Sequence, residues 1–449
     1  MYTIAPRESR LLLRLMYLYI LSLPFFGFSL YNAGGRGLGR IDWLIGGLML
    51  LVFLLASLGG HLKIIDSPAA ALIAFYLCTG MLSAINIIGT AQTARFVDFA
   101  TKALQLFIVT PLFFVISSLP VNEQEVQRLV RLWCFLGLAI ALHTIYQLFA
   151  QLFNLPFVTL ALNNPTVGEL STRVIFGYTQ PASVFREPSF MAAFLAPPFI
   201  LTGNFVLLKK ANVLFFRRNW LNWMMVLLIG SAIILSGSQA SLAAVLSTLL
   251  FMLIRGSVSR RRIVQLGLLA GLLLLLIALI LDAAGGDFFT AFTYRLQYLL
   301  LNIRDPGNTA QVTSVADRLQ GTMVGIEVWK RHPVFGIGLG NLQYFSGRQS
   351  TTNNPWVQLL VEQGLLGFIS LLLVFLILIA RLNQLARILP QHSFWQPLCV
   401  AMTAVLVLTM ISGLFTFVWT HPYRILTLAL ANLILIQASH AHYSESNSQ

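Results

Sequence analysis

Residues 317–341, DRLQGTMVGIEVWKRHPVFGIGLGN, and residues 351–368, TTNNPWVQLLVEQGLLGF, lie where a long polar segment meets an apolar one. The polar segment spans residues 283–354 and is the one long stretch of the chain that a membrane cannot hold. Apolar runs precede and follow it. Because polar groups are costly inside a membrane, we expect the functional residues mainly in this segment.

The composition around this segment is that of a multi-pass membrane protein. The chain has 449 residues, of which 57% are hydrophobic and 10% are charged, and its mean hydropathy is +0.79. A soluble protein carries about 25% charged residues. The repeated apolar runs, each about 20 residues long, predict an all-α membrane protein with about twelve transmembrane helices. The predicted spans are 11–31, 41–59, 67–88, 99–119, 128–153, 188–208, 220–237, 239–254, 264–282, 355–380, 395–418 and 422–438.

The basic residues of the short loops predict the orientation, because cytoplasmic loops are enriched in Lys and Arg. They place both termini in the cytoplasm and make segments 154–187 and 283–354 external. The integral membrane domain is then 1–438, and 439–449 is a disordered cytoplasmic tail. The basic residues of these predicted cytoplasmic segments are Arg7, Arg10, Arg14, Lys209, Lys210, Arg217, Arg218, Arg255, Arg260, Arg261, Arg262, Arg381 and Arg387.

The net charge of +14 does not indicate nucleic-acid binding, because the basic residues are dispersed through short loops. Several arginines nevertheless lie in the external segments, against the orientation rule, and either contact lipid headgroups or serve a function. The three cysteines fall within predicted spans, and the chain has no CxxC, HExxH or phosphate-binding glycine motif. The external arginines are Arg173, Arg186, Arg295, Arg304, Arg318, Arg331 and Arg348.

Two helix starts are notable in the external segments. An amphipathic helix is predicted from about Val315 to Arg331, either at the membrane interface or packed on the protein surface. Arg186 and Glu187 come directly before Pro188, a residue suited to the first turn of a helix. The helix dipole alone accounts for Glu187, whereas a guanidinium at a helix start is suited to binding phosphate.

Three polar groups inside or beside predicted spans leave alternatives open. Asp98 and Lys102 are spaced to neutralise each other along a helix, and Arg95 lies just before them. His143 is suited to an interhelical hydrogen bond. Arg424 either faces a cavity or extends toward the interface.

The motifs DR…VWKRHPVFGIGLGN, NNPWVQLLVEQGLLG and FREPSFMAAFL together resemble those of the O-antigen ligase and O-antigen polymerase superfamily. The resemblance covers three short segments, and the predicted topology is similar to that of the family. It implies a GT-C-like, metal-independent, inverting glycosyltransferase that uses no cofactor and lies in the inner membrane of a bacterium. It also implies an undecaprenyl-diphosphate-linked glycan as substrate, with membrane lipid, a chain-length regulator and a flippase as partners.

The sequence departs from the ligase pattern at two places. Ligases have His, then Asn, Ser or Gln, nine residues and Gly; here Asn353 and Asn354 precede Gly364, so Asn353 replaces the histidine. An asparagine cannot act as a base, although it can orient a sugar hydroxyl. Ser238 and Gln239 stand where many relatives have Ser-Arg.

The resemblance implies a set of site residues in which arginines bind the diphosphate and a base activates the acceptor hydroxyl. The external candidates for the base are Glu187, His332, Asp305, Asp317 and Glu327, of which Glu187 and His332 are favoured. His332 can instead cap the preceding helix, and Glu187 can be a partner of Arg186. The expected catalytic residues are Glu187, His332 and Arg186, and the expected substrate-binding residues are Arg173, Arg318, Arg331, Asn353 and Asn354.

The leading hypothesis is a polymerase that joins carrier-linked repeat units at the external face of the membrane. One alternative is a ligase that transfers glycan to lipid A–core. The alternative from another class is a transporter or flippase of lipid-linked sugars, which would place charged residues at mid-membrane.

Overall fold

Long apolar helices make up most of the structure, a computed structural model. It describes residues 7–26, 28–33, 36–88, 93–156, 174–175, 178–185, 187–255, 260–283, 293, 297, 314–347, 352, 354–391, 393–414 and 421–446. Within these ranges, eight helices are long and apolar enough to cross a membrane, which supports the prediction of a membrane protein. The number of twelve spans is not confirmed. The eight are Ile41–Leu58, Pro68–Asn86, Thr93–Ser117, Glu123–Leu152, Pro188–Leu207, Pro355–Ile388, Trp395–Ser412 and Pro422–Tyr443.

Helices dominate the element order, and two short hairpins interrupt it. The α-helices are α1 (Arg7–Ser22), α2 (Ile41–Leu58), α3 (Pro68–Leu82), α4 (Thr93–Val109), α5 (Leu112–Ser117), α6 (Glu123–Leu152), α7 (Pro188–Leu207), α8 (Ala211–Leu214), α9 (Asn219–Leu235), α10 (Gln239–Ile254), α11 (Arg260–Ala283), α12 (Ser314–Arg331), α13 (Gln343–Ser346), α14 (Pro355–Ile388), α15 (Trp395–Ser412) and α16 (Pro422–Ser446). The strands β1 (Ser29–Ala33) and β2 (Arg36–Arg40) pair antiparallel, as do β3 (Val174–Ile175) and β4 (Tyr178–Thr179).

Two predictions at the ends of the chain are wrong. The predicted span 11–31 ends early, because α1 stops at Ser22 and is followed by a 3-10 turn and then by β1. Pro24 lies in that turn, and proline has no N–H with which to continue a helix. The tail predicted to be disordered is helical as far as Ser446, the end of α16.

The chain divides into two compact units, each described here by itself. Unit 1 comprises Met1–Leu23, Ile41–Val130 and Gln320–Gln449, and unit 2 comprises Pro24–Arg40 and Arg131–Leu319. The extent of the membrane domain, 1–438, and the external position of the two long segments stay predictions.

In unit 1, α14 packs against α3, α15 and α16. It is interrupted at Gly364, whose φ of 68° and ψ of −166° are not helical. A Cβ added at Gly364 would lie 2.1 Å from the Val334 carbonyl oxygen, so glycine alone fits there. The break brings the segment 333–341 onto the side of α14.

Backbone hydrogen bonds hold this segment against α14. The Leu365 amide donates to the Pro333 carbonyl at 2.8 Å, and the Ile337 amide donates to the Val361 carbonyl at 2.8 Å. The Gly338 amide donates to the Glu362 carbonyl at 3.1 Å. The carbonyls that the break frees from the helix are therefore satisfied by the loop.

The predicted helix at 315–331 is confirmed as α12. Of its predicted apolar face, Leu319 and Met323 are 49% and 65% exposed, whereas Ile326 and Trp329 pack against a buried cluster that includes Val328. Gly325 lies against Thr352 and Val357, where an added Cβ would come within 2.8 Å of both side chains. Close backbone approach thus decides which face of α12 packs.

In unit 2, α7 is almost entirely buried and packs against α9 and α10. It remains helical through Pro197 and Pro198. The predicted spans at 220–237, 239–254 and 264–282 correspond to α9, α10 and α11.

Candidate functional site

Polar side chains of unit 1 meet where α4, the segment 333–347 and the beginning of α14 come together. We call them the loop–α14 cluster, defined by Arg95, Asp98, Asn341, Thr352, Gln358 and Glu362. Asn341 and Thr352 belong to the polar segment 283–354 from which function was predicted, and Gln358 and Glu362 follow it directly in α14.

Asn354 caps the N-terminus of α14. Its side-chain oxygen accepts hydrogen bonds from the backbone amides of Trp356 at 3.1 Å and Val357 at 3.3 Å, and Pro355 occupies the first turn. This is an N-cap, a contact that stabilises a helix by about 1 kcal/mol. The oxygen of this predicted acceptor-binding residue therefore has a structural role. Asn353 lies outside the described residues.

Glu362 is the central acid of the cluster and is half-buried. Its Oε1 accepts hydrogen bonds from the Gly340 amide at 3.0 Å and from Gln358 Nε2 at 2.5 Å. Gln358 lies one turn earlier on the helix, and its own side-chain oxygen accepts from the Thr352 amide at 3.0 Å. No donor among the described residues reaches the second oxygen of Glu362, which leaves it able to accept from a ligand hydroxyl.

Arg95, in the first turn of α4, is 9% exposed and lies over an aromatic ring. Its guanidinium carbon is 4.6 Å from the centroid of the Phe345 ring, and its Nε donates to the Asn341 side chain at 3.4 Å. Its Nη2 is buried and has no hydrogen-bond partner in the part of the chain that the structure describes. A buried polar atom left in this state is costly unless a ligand or water satisfies it.

Asp98 connects α4 to the short helix α13. Its Oδ2 accepts hydrogen bonds from Gln343 Nε2 and from the Tyr344 hydroxyl, both at 2.7 Å. These bonds give Asp98 a role beyond the neutralisation of Lys102 that its spacing predicts.

His332 and Arg331, two of the predicted site residues, follow one another at the end of α12. The His332 ring is half-buried and its centroid is 5.6 Å from that of Phe345, the ring on which Arg95 lies. Its backbone amide donates to the Trp329 carbonyl at 2.9 Å, so the residue also closes the helix end. Arg331 is exposed.

Glu327, an alternative base, is poorly suited to that role. Lys330 Nζ donates to its carboxylate at 2.7 Å, and both side chains are exposed. This hydrogen bond and the adjacent positive charge hold the pKa of Glu327 below its ordinary value. A carboxylate with a lowered pKa is a weaker proton acceptor.

Glu187 lies in unit 2, at the residue before α7. Its side chain makes no capping bond to the helix and accepts instead from the Ser189 hydroxyl at 3.1 Å. Arg173 and Arg186 lie outside the described residues, and nothing is described of the Arg318 side chain within α12. Their grouping with Glu187 stays a prediction.

For two further polar groups, His143 and Arg424, the structure decides between alternatives that the sequence leaves open. The His143 ring nitrogen Nδ1 lies 2.9 Å from the Ser183 hydroxyl, a hydrogen bond from α6 to the segment before α7. Arg424 is completely buried in α16, so the alternative that it extends toward the interface is wrong.

The sequence analysis missed Glu362 and Gln358 as functional candidates. The available signal was a carboxylate inside an apolar run, a position that a membrane helix seldom keeps without a purpose. The four-residue spacing of Gln358 and Glu362 also predicts that their side chains meet on one helix face.

Comparison with known proteins agrees with the resemblance seen in the motifs. Residues 224–372, about a third of the chain, match the family model described as O-antigen ligase. No curated protein matches the chain significantly. The matched range includes Asn341, Thr352, Gln358 and Glu362, and the match supports the predicted superfamily. The match supports ligase or polymerase activity in general and gives no support to a flippase.

Proposed function

We propose, from the premise that residues 224–372 belong to the O-antigen ligase family, that this membrane protein polymerises glycans. It joins oligosaccharide repeat units linked to undecaprenyl diphosphate at the external face of the inner membrane. The observation that carries the proposal is the loop–α14 cluster, which lies largely within the matched range. Among the described residues, it has one carboxylate oxygen without a donor and one guanidinium nitrogen without a partner. These are the two kinds of group that glycosyl transfer from a diphosphate needs.

In the proposed reaction an acceptor hydroxyl attacks the anomeric carbon of the donor sugar. The bond between that carbon and the diphosphate oxygen breaks as the new glycosidic bond forms, so the configuration inverts. A carboxylate or imidazole takes the hydroxyl proton, and the diphosphate leaves with the bonding electron pair. No metal is required if cationic side chains stabilise the charge on the leaving group.

The arginines are the proposed diphosphate ligands. Arg173, Arg186 and Arg318 bind it because a guanidinium stays protonated and donates two hydrogen bonds to phosphate oxygens. Arg331 contributes to sugar binding from the end of α12. Within unit 1, Arg95 is a separate candidate phosphate ligand, because its Nη2 is buried and has no partner among the described residues.

The proposed base is Glu187 or His332, with Glu362 as a third candidate. Glu187 is free of capping bonds, and His332 lies beside the ring that packs on Arg95. Glu362 has one oxygen without a donor among the described residues. Asn353 and the Asn354 amide nitrogen orient the acceptor sugar.

The absence of a histidine at Asn353 supports polymerase over ligase, because the ligase motif has its histidine there. The description of the matched model, O-antigen ligase, favours the second candidate. The two functions differ in their acceptor, which is a carrier-linked glycan for a polymerase and lipid A–core for a ligase.

The test incubates purified protein with a defined undecaprenyl-diphosphate oligosaccharide, with and without lipid A–core. A ladder of longer chains from the carrier-linked substrate alone supports the polymerase. Transfer only to lipid A–core identifies a ligase, and no product in either reaction contradicts both.

A second test uses Arg186→Ala, with Arg387→Ala as a matched control because Arg387 is exposed in the last turn of α14. Cells carrying Arg186→Ala should lose long glycan chains at normal protein levels, while the control keeps them. Wild-type chain length with Arg186→Ala would remove Arg186 from the proposed site.

A further inference from the structure

A cavity of about 280 Å³ lies within unit 2, away from the groups assigned to glycosyl transfer. It is bounded by the C-terminal end of α7, by α8, and by the first turns of α9 and α11. Two cations and three amide side chains line it together with the indole of Trp223. The polar lining residues are Lys209, Asn219, Asn222, Arg262 and Gln265, of which Asn222 is already hydrogen-bonded to the Phe216 backbone.

The lining is strongly cationic. None of the lining residues carries a carboxylate. In the sequence, segments 208–218 and 255–262, which supply the lining cations Lys209 and Arg262, each contain four Lys or Arg residues and no Asp or Glu. A concave surface with charge of one sign concentrates ions of the opposite sign, so the cavity is suited to an anion.

The backbone fixes both cations at the cavity wall. Arg262 Nη1 donates to the Leu207 carbonyl at the end of α7. Lys209 has a left-handed conformation with a φ of 60°, and its amide donates to the Val206 carbonyl at 3.0 Å. The Lys209 ammonium and the remaining Arg262 N–H groups have no hydrogen-bond or ion-pair partner among the described residues, so they can donate to a ligand.

The location of the cavity favours a lipid phosphate. The basic segments that border it are those that predict the cytoplasmic side of the membrane. Trp220 is 57% exposed in the first turn of α9, and Trp223 lines the cavity one turn later. Tryptophan is enriched where a membrane protein meets the headgroup region. Basic pockets between transmembrane helices on this side bind the headgroups of anionic lipids.

We propose that this cavity binds the phosphate of an anionic phospholipid from the cytoplasmic leaflet. Arg262 and Lys209 donate to the phosphate oxygens, Asn219 and Gln265 donate from their side-chain amides, and Trp223 packs on the glycerol region. The proposal does not rest on the glycan chemistry proposed above.

The test counts bound lipids by native mass spectrometry on the full-length protein, released from nanodiscs that contain phosphatidylcholine with or without phosphatidylglycerol. The variants are Lys209→Gln, Arg262→Gln and the double variant. Glutamine at 262 removes the charge but keeps an N–H donor for the Leu207 carbonyl. Arg387→Gln is the matched control, because Arg387 is a basic residue of the same predicted side that lies outside the cavity.

The wild-type protein should retain a phosphatidylglycerol molecule that the double variant loses, and each single variant should weaken its binding by about fivefold. The control should bind as the wild type does. Equal retention by the wild type and the double variant would overturn the proposal. Lys209 is exposed, so its single variant keeps the test valid if Arg262 variants fail to fold.

A parallel arm adds inorganic phosphate to protein in phosphatidylcholine nanodiscs and measures binding directly. Weak or undetected binding supports a lipid ligand. Binding of inorganic phosphate as tight as that of phosphatidylglycerol, lost in the double variant, would identify free phosphate as the ligand and overturn the assignment to a lipid.

Discussion

The beginnings of α7 and α14 look alike in sequence but differ in structure. Each has a polar residue followed directly by proline, Glu187-Pro188 in one and Asn354-Pro355 in the other. Asn354 uses its side-chain oxygen to cap α14, whereas Glu187 makes no capping bond. At these two positions a polar residue before proline marks a helix start, but the pair does not reveal whether its side chain remains available for chemistry.

The helices also differ beyond their first turns. α7 continues as a helix through two prolines, while α14 breaks at Gly364 and places Gln358 and Glu362 in the turns before the break. In α14 the residue predicted from the motif is structural, and the groups with chemical capacity lie one to two turns further along. The following changes test this difference, from the largest expected effect to the smallest.

Glu362→Gln tests whether α14 contributes a charged group. Glutamine keeps an oxygen that can accept from Gly340 and Gln358, so the loop should stay in place while the negative charge is lost. If Glu362 acts as a base, chain elongation should fall by about a hundredfold or more. Elongation by the purified variant measures the effect, and Glu327→Gln serves as the control because Glu327 is exposed on α12. Wild-type activity of the variant would show that Glu362 serves only to keep the loop 333–341 in place.

Gly364→Ala tests the break in α14. Alanine is strained at a φ of 68°, and its Cβ would overlap the Val334 carbonyl, so we expect a loss of about 2 kcal/mol or more in the free energy of unfolding. Thermal unfolding in detergent measures the loss. Gly47→Ala in α2 is the matched control, because a Cβ there meets no atom within 4 Å. Equal melting temperatures for the two variants would contradict the positive-φ conformation of Gly364 on which the break in α14 depends.

Glu187→Gln tests whether the beginning of α7 is more than a helix start. Because the carboxylate caps nothing, stability should be unchanged, while elongation falls at least about tenfold if Glu187 is the base. Measurement of both quantities on one preparation separates the two roles. A loss of stability with unchanged elongation would assign Glu187 to the helix alone.

Asn354→Ala and Asn354→Asp test the cap on α14. Alanine removes the acceptor for the Trp356 and Val357 amides and should cost about 1 kcal/mol of stability, while aspartate should retain most of it. Thermal unfolding compares the two variants. Equal destabilisation by both would show that the amide nitrogen, not the oxygen, is the important group.

Lys330→Gln should have the smallest effect. Loss of the hydrogen bond from Lys330 should raise the pKa of Glu327 toward its ordinary value, which NMR titration of the carboxyl group can follow. A group with a lowered folded pKa stabilises the protein above its unfolded pKa and loses that contribution as pH falls through the folded pKa. The free energy of unfolding of the variant should therefore depend slightly less on pH in the acid range, and elongation should be unchanged.

The sequence predicted the apolar helices well because length and hydropathy depend on local composition. It predicted α12 from its amphipathic pattern and the start of α7 from Glu187 and Pro188, signals that also act locally. It failed at 11–31, where the apolar run continues past Pro24 but the helix does not. It gave no indication of the close approach of Gly325 to Thr352, because that contact depends on a segment far along the chain.

The candidate site was predicted only in part, for a related reason. His332 and Asn354 were found because they belong to a continuous motif. Glu362 acquires its role through the Gly340 amide, and Arg95 through Asn341 and Phe345, contacts that join distant parts of the sequence. Periodicity and spacing carry no information about such contacts.

The attachment of segment 333–341 to α14 has a consequence for diversification. Three of its contacts join backbone to backbone, through the amides of Leu365, Ile337 and Gly338. The residues between the glycines, Ile337 and Leu339, are 0% and 4% exposed, so two buried apolar side chains anchor the loop together with these bonds. Sequence change in this segment is therefore expected at exposed positions such as Val334, while Ile337 and Leu339 stay apolar and of similar size to keep the frame of the loop.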